Sequence, residues 1–326
     1  MTHASAFASW MERHQVVLYL AAIAAGITTG LLAPDTHPLD IAINPAIAVL
    51  LFVTFLGVPF ARIAQGFRDV RFLSALLLLN FVVVPVVVFG LSRFVAHDDA
   101  LLLGVLLVLL TPCIDYVIVF AAAAGGAHER LLAAAPVLMV LQLLLLPLYL
   151  LVIAGPAATE NVEPAPFIEA LVLLILIPLA AAALTQWGAR RVPHVATASA
   201  GALHAMVPLM MLVLFVVVAS QTPTIAADPQ PLIGLVPLYI AFLAIMAGLG
   251  FLTARIAHLD VPRSRALVFS GATRNSLVVL PLALALPVDL RLAAAVIVTQ
   301  TLVELVGMAV YVRLLPRLIP ERSATS

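Results

Sequence analysis

Apolar runs of about twenty residues, separated by short polar breaks, recur from one end of the chain to the other. A run of that length is what an α-helix, rising about 1.5 Å per residue, needs to cross a hydrocarbon layer about 30 Å thick. Ten such runs can be marked, at 16–33, 43–61, 72–94, 101–124, 131–154, 167–186, 199–220, 232–254, 266–287 and 292–312. The pattern predicts an all-α integral membrane protein of ten transmembrane helices, with 1–326 forming one membrane domain. The longest polar interruptions, Gly155 to Pro166 and Arg190 to Ala198, are too short to hold a soluble domain. The first run follows Arg13 and has the look of a signal-peptide core, but at about 17 apolar residues it reads better as a span.

Ten spans divide as five plus five. An odd number per half reverses orientation, so the halves, about 16–154 and 167–312, are expected to form an inverted repeat. Two runs at matching positions are interrupted. The fourth carries Thr111-Pro112-Cys113-Ile114-Asp115-Tyr116 and the ninth carries Ser270-Gly271-Ala272-Thr273-Arg274-Asn275-Ser276. Proline removes a backbone donor and clashes with the preceding turn, and glycine relaxes the helix, so both segments read as broken helices whose freed backbone groups face a cavity. Paired interruptions of this kind point to a transporter's midplane site. Pro59, Pro85, Pro136, Pro147, Pro178 and Pro208 lie in other spans without a nearby charge and carry no such signal.

A charge at bilayer depth costs roughly 2.5–3.5 kcal/mol on insertion scales, so Asp115, Arg274 and Glu304 mark places where something is bound or moved. Charge otherwise concerns topology. The chain is 64% hydrophobic and 10% charged, with zero formal net charge. Its cations are arginines without lysine, and they alternate: Arg13, Arg62, Arg68, Arg71, Arg130, Arg190, Arg191, Arg255, Arg263, Arg265, Arg313, Arg317 and Arg322 fall on one side, Arg93 and Arg291 on the other. The positive-inside rule then places both termini in the cytoplasm of a multi-pass cell-membrane protein. No basic stripe suggests nucleic acid. The single cysteine excludes an internal disulfide. No phosphate loop is present for ATP-driven pumping, no cofactor is indicated, and with no histidine near Cys113 in sequence an enzyme is not expected.

At these residues the chain resembles the arsenite efflux permeases, relatives of the bile acid:sodium symporters within a ten-helix superfamily. Phe67-Arg68-Asp69 leading into Leu79-Asn80-Phe81 and Pro85 is similar to that family's second loop and third helix. Cys113-Ile114 resembles its cysteine-bearing fourth helix, Gln142 its fifth, and Leu302-Val303-Glu304 its glutamate-bearing tenth. The resemblance implies that Cys113 and Glu304 serve transport and that Asn80 and Gln142 support the path. It also has departures. Pro112 stands where those permeases usually carry arginine, Asp115 is extra, and Arg274-Asn275-Ser276 runs into Leu277 and Val278 instead of a glutamate. Against the symporters, Ser270 and Arg274 stand where a glutamate and a glutamine hold sodium, and a guanidinium cannot ligate a cation, so sodium coupling is not expected.

The residues allow a concrete chemistry. Arsenite at neutral pH is mostly an uncharged trihydroxide with a soft trivalent centre that bonds thiolate sulfur. One cysteine offers one bond, which suits transient capture and release, and Arg274 is the candidate positive neighbour. Asn275, Ser276, Gly271 and Thr273 complete the substrate region. Asp115 and Arg274 are expected to pair across it. Glu304 has no obvious partner in its own span, where Thr299, Gln300 and Thr301 offer only polar company, and it is the candidate proton-coupling group. The expected function is export of arsenite or a related metalloid oxyacid by proton antiport. The alternative is a carrier of a small organic anion held by Arg274, with Cys113 a small buried hydrophobe. The partners are thus a small solute, protons and the bilayer, with a homodimer as candidate assembly.

Overall fold

The computed structural model describes residues 3–33, 37–57, 69–114, 116–160, 168–169, 172–227 and 229–320. Among these the regular structure is helical, with no strand. Among the described residues five helices are long and apolar enough to cross a membrane: Val70–Val95, His128–Gly155, Met206–Pro223, Gln230–Ile256 and Leu292–Leu318. The shorter apolar helices Val17–Leu32, Ile41–Gly57 and Asp99–Leu109 overlap three further runs. The fourth run is divided into Asp99–Leu109 and Tyr116–Ala123, and the ninth into Val261–Ala272 and Ser276–Leu284. The run expected at 199–220 is divided too, at Ala205, between helices Pro193–His204 and Met206–Ala227. Pro208 explains this, because it has no N–H to give to the His204 carbonyl four residues back.

Prolines also shape helices that continue. A wide π turn, Leu79–Val83, runs directly into Val84–Ser92, which has Pro85 at its start, and a second, Val172–Leu176, runs into Ile177–Ala189, which starts with Pro178 beside Ile177. Proline clashes with the preceding turn, and widening that turn relieves the clash. The Phe81 carbonyl, which Pro85 cannot serve, instead receives the Tyr149 hydroxyl at 2.6 Å. A freed carbonyl inside a membrane span needs such a donor, because no water reaches it there.

The chain packs into two compact units, each drawn from both halves of the sequence. The first comprises Met1–Val58, Glu163–Gln230 and Leu280–Pro287. Within it the His3–Leu32 helix lies along Met206–Ala227, which also packs on His37–Gly57. Gly26 and Gly30, one turn apart, make the first contact close: a Cβ on Gly26 would lie 2.9 Å from the Phe215 carbonyl oxygen, and one on Gly30 2.6 Å from that of Ala219. Small residues let membrane helices approach where apolar burial gives no drive. Gly30→Leu is therefore expected to destabilise the fold by about 1–3 kcal/mol through overpacking. Gly234→Leu, where nothing lies within 4 Å of the added Cβ, should match the parent. Thermal midpoints of the two variants in detergent check this.

The second unit comprises Pro59–Val162, Pro231–Val279 and Val288–Ser326, and it holds both breaks and Glu304. Three aspartates start its helices: Asp69, Asp98 and Asp260 accept from the Phe72, Leu101 and Arg263 amides. Each cap satisfies one of the four orphan donors of a helix N-terminus. Asp69 also binds Arg130 and Arg263, each at 3.1 Å. The Asp99–Leu109 helix packs on Leu292–Leu318, close enough that a Cβ on Gly104 would fall 2.7 Å from the Val296 Cβ. That contact sets the first break beside the helix that carries Glu304.

Candidate functional site

Each break has a local cause, and the helix-end carbonyls beside it find partners. In the first, Pro112 disfavours helical backbone at Thr111 and ends the Asp99–Leu109 helix. Its last carbonyls are all served: Leu106 by the Leu110 amide, Leu107 by the Thr111 hydroxyl at 2.7 Å, Val108 by the Thr111 amide and Leu109 by Arg274 Nη1 at 3.3 Å. In the second, the Thr273 hydroxyl and amide both bond to the Phe269 carbonyl, and the Ser270 and Gly271 carbonyls lie 2.6 and 2.7 Å from Arg274 Nη2. Asn275 then restarts the chain as helix, its Oδ1 accepting from the Val278 amide as an N-cap would.

The two breaks cross each other. The Cys113 amide donates to the Thr273 carbonyl at 3.2 Å and the Asn275 amide to that of Thr111 at 2.8 Å, which pairs Pro112 with Arg274 in a short antiparallel bridge. Cys113, Pro112, Thr273, Arg274 and Asn275, all expected at the site, are thereby brought together. Gly271 joins them through its carbonyl. A Cβ there would meet Leu79 at 2.6 Å, so the close approach of the helices explains the glycine. Asp115 lies outside the described residues.

Arg274 is fully buried. Its guanidinium sits at the C-terminal ends of Asp99–Leu109 and Val261–Ala272, where the helix dipoles favour a cation. Asn80 completes the ring of acceptors: its Oδ1 is 2.9 Å from Nη2, while its amide donates to the Ser270 hydroxyl at 3.1 Å and the Leu76 carbonyl at 3.1 Å. Phe242 lies against the guanidinium, 5.6 Å from ring centroid to Cζ. A charge held by neutral oxygens and an aromatic face spreads over many partners, which is how a buried cation avoids the penalty of isolation.

Glu304, equally buried, lies on the other side of the Arg274 backbone. Its Oε2 accepts from the Arg274 amide at 2.8 Å and from Gln300 Nε2 one turn back, and its Oε1 is 2.6 Å from the Tyr116 hydroxyl. These contacts correct the expectation that Glu304 lacks a partner in its own span. The Tyr116 hydroxyl is also 2.8 Å from the Arg274 carbonyl oxygen. It has one proton and two acceptors, so both contacts are hydrogen bonds only when Glu304 Oε1 carries a proton and donates it to the hydroxyl.

Several buried polar atoms near the crossing have no partner among the described residues: Arg274 Nε, Asn275 Nδ2, Ser276 Oγ and Gln300 Oε1. Native interiors pair nearly all such atoms, so a group of them is a supply of donors and acceptors for a bound solute. Gln142 is buried with both ends of its amide unpartnered among the described residues, so no hydrogen bond of its amide joins it to the crossing. Sequence reasoning passed over Ser270, Tyr116 and Gln300 as site residues. Gln300 had a signal, its spacing of four from Glu304 on one helix face. Tyr116 and Ser270 stood in the interrupted segments, but their partners Glu304 and Asn80 are 188 and 190 residues away in sequence.

No curated protein sequence matches the chain. A family model does, over residues 14–307, nearly all of it. That span includes both breaks, the Asn80 turn and Glu304, and by this match the chain belongs to the SBF-like CPA transporter family, a broader assignment than the arsenite permeases.

Proposed function

We propose that the chain is a secondary active transporter that exports arsenite or a related metalloid oxyacid from the cytoplasm by proton antiport. Family membership supports transport as the activity. The finer reading rests on the crossing, which sets the sulfur-bearing Cys113 beside Arg274, and Arg274 in turn against Glu304. A single sulfur suits a cargo that must be released, and unpartnered Asn275 and Ser276 atoms suit hydroxyls on that cargo. Ten spans in an inverted five-plus-five arrangement, with both termini cytoplasmic, are part of the same proposal, as are Asp115 as counter-charge to Arg274 and Gln142 as a residue of the path.

The observation that carries proton coupling is the shared Tyr116 hydroxyl, whose two contacts are filled when Glu304 is protonated and compete when it is not. Loss of a proton from Glu304 thus changes the bonding of the second break itself. A second reading, a carrier of a small organic anion, is favoured by the donors Arg274 Nε, Asn275 Nδ2 and Ser276 Oγ. One comparison separates the two. In cells lacking their own efflux systems, the parent protein is expected to lower arsenite accumulation and Cys113→Ser, at equal membrane expression, to lose that effect completely. If neither protein lowers it, the metalloid reading fails. Uptake of a carboxylate that survives Cys113→Ser would then establish the other.

A further inference from the structure

Away from the crossing, the second unit carries a groove of about 740 Å³ between the first half of Val70–Val95 and the last turns of Gln230–Ile256. Ala75, Leu78, Val83, Leu249 and Leu252 form its apolar length, and Arg71 and His258 line it together with Ser74 and Thr253. The outer wall is open, with Leu78 and Leu252 each half exposed. Both helices are of membrane-crossing length, so this opening faces hydrocarbon. Arg71 is the second residue of one helix and His258 lies just beyond the end of the other, where a bilayer has its headgroups.

Among the described residues, neither Arg71 nor His258 has an acidic partner. Asp69, two residues from Arg71, is bound by Arg130 and Arg263, and Asp260, two residues from His258, is also bound by Arg263. His258 adds a second signal. The Leu259 amide bonds to the Ala254 carbonyl and the His258 amide to that of Arg255, the paired bonds of a Schellman turn with His258 at the left-handed position, φ 49°. Glycine is the usual occupant there because it has no Cβ to clash. This chain puts a histidine in that place, and His258 lines the groove.

We propose that this groove is a binding site for an anionic phospholipid, with an acyl chain along the apolar wall and the headgroup phosphate held by Arg71 and His258. Basic pockets between membrane helices at the bilayer surface recognise anionic headgroups. Occupancy also bears on the crossing. Val83 belongs to the same π turn, Leu79–Val83, as Asn80, whose amide holds Arg274 and Ser270. A bound acyl chain supports that turn from outside.

The test uses the full chain, purified in detergent and stripped of lipid, with phosphatidylglycerol or phosphatidylcholine added and bound lipid counted by native mass spectrometry. Phosphatidylglycerol is expected to be retained at least about fivefold more strongly, the equivalent of about 1 kcal/mol, which is what a single basic residue contributes at a membrane surface. Arg71→Gln with His258→Gly should erase that preference while the thermal midpoint stays at or above that of the parent. Leu252→Trp, which fills the groove from its exposed wall, should displace both lipids. Equal retention of the two lipids by the parent overturns the proposal, as does a preference that survives the double variant. Displacement of phosphatidylglycerol by inorganic phosphate would show a simple anion site and also overturn it. None of these residues belongs to the bridge at Pro112 and Arg274, so the outcome is independent of the transported solute.

Discussion

Arg274→Ala is expected to cost about 3–5 kcal/mol of stability, the range for stripping one partner from a buried, charged hydrogen-bond set. The variant leaves the Leu109, Ser270 and Gly271 carbonyls and Asn80 Oδ1 without the donor that now serves them. Each is buried at a helix end or beside one, and an unserved buried acceptor costs about 1–3 kcal/mol. Arg274→Lys should recover only part of the loss. An ammonium is a compact charge and cannot span acceptors on two half-helices as a planar fork does. The measurement is the thermal midpoint of the folded peak in detergent for the parent and both variants. An alanine variant as stable as the parent would show that these carbonyls find other donors, and that the arginine serves only a bound solute.

The residues that break the helices were legible in the sequence because their causes are local. Pro112 ends one half-helix by sterics alone, and the polar run Thr273-Arg274-Asn275 cannot continue an apolar span without burying charge at random. The crossing of the two breaks is held by backbone bonds, from the Cys113 amide to the Thr273 carbonyl and from the Asn275 amide to that of Thr111. What the sequence could not carry is which atoms meet. Arg274 read as a group facing Asp115 or a substrate, whereas much of its guanidinium is engaged with the ends of its own helix and of the other broken one. Glu304 read as isolated because Tyr116 lies 188 residues away in sequence and the Arg274 amide 30. Proline proved ambiguous for a physical reason. Pro112 breaks a helix, Pro208 sits just past a break, and Pro85 and Pro178 only widen a turn, since a neighbouring hydroxyl or an extra residue in the turn can answer a missing N–H.

The same geometry makes Glu304→Gln the most discriminating substitution for transport. A glutamine copies the protonated acid: its carbonyl oxygen accepts from the Arg274 amide and Gln300, and its amide group donates to the Tyr116 hydroxyl, which stays free to bond the Arg274 carbonyl. The variant is therefore expected to insert and to keep the parent's thermal midpoint. It cannot release a proton, so the exchange of Tyr116 between its two acceptors is lost. In proteoliposomes, a pH gradient should drive arsenite movement through the parent and none through Glu304→Gln, while gradient-free counterflow of arsenite through the variant persists. Loss of both activities would place Glu304 in solute binding, and a full response to the gradient would move proton coupling to another residue, with Asp115 the next to substitute.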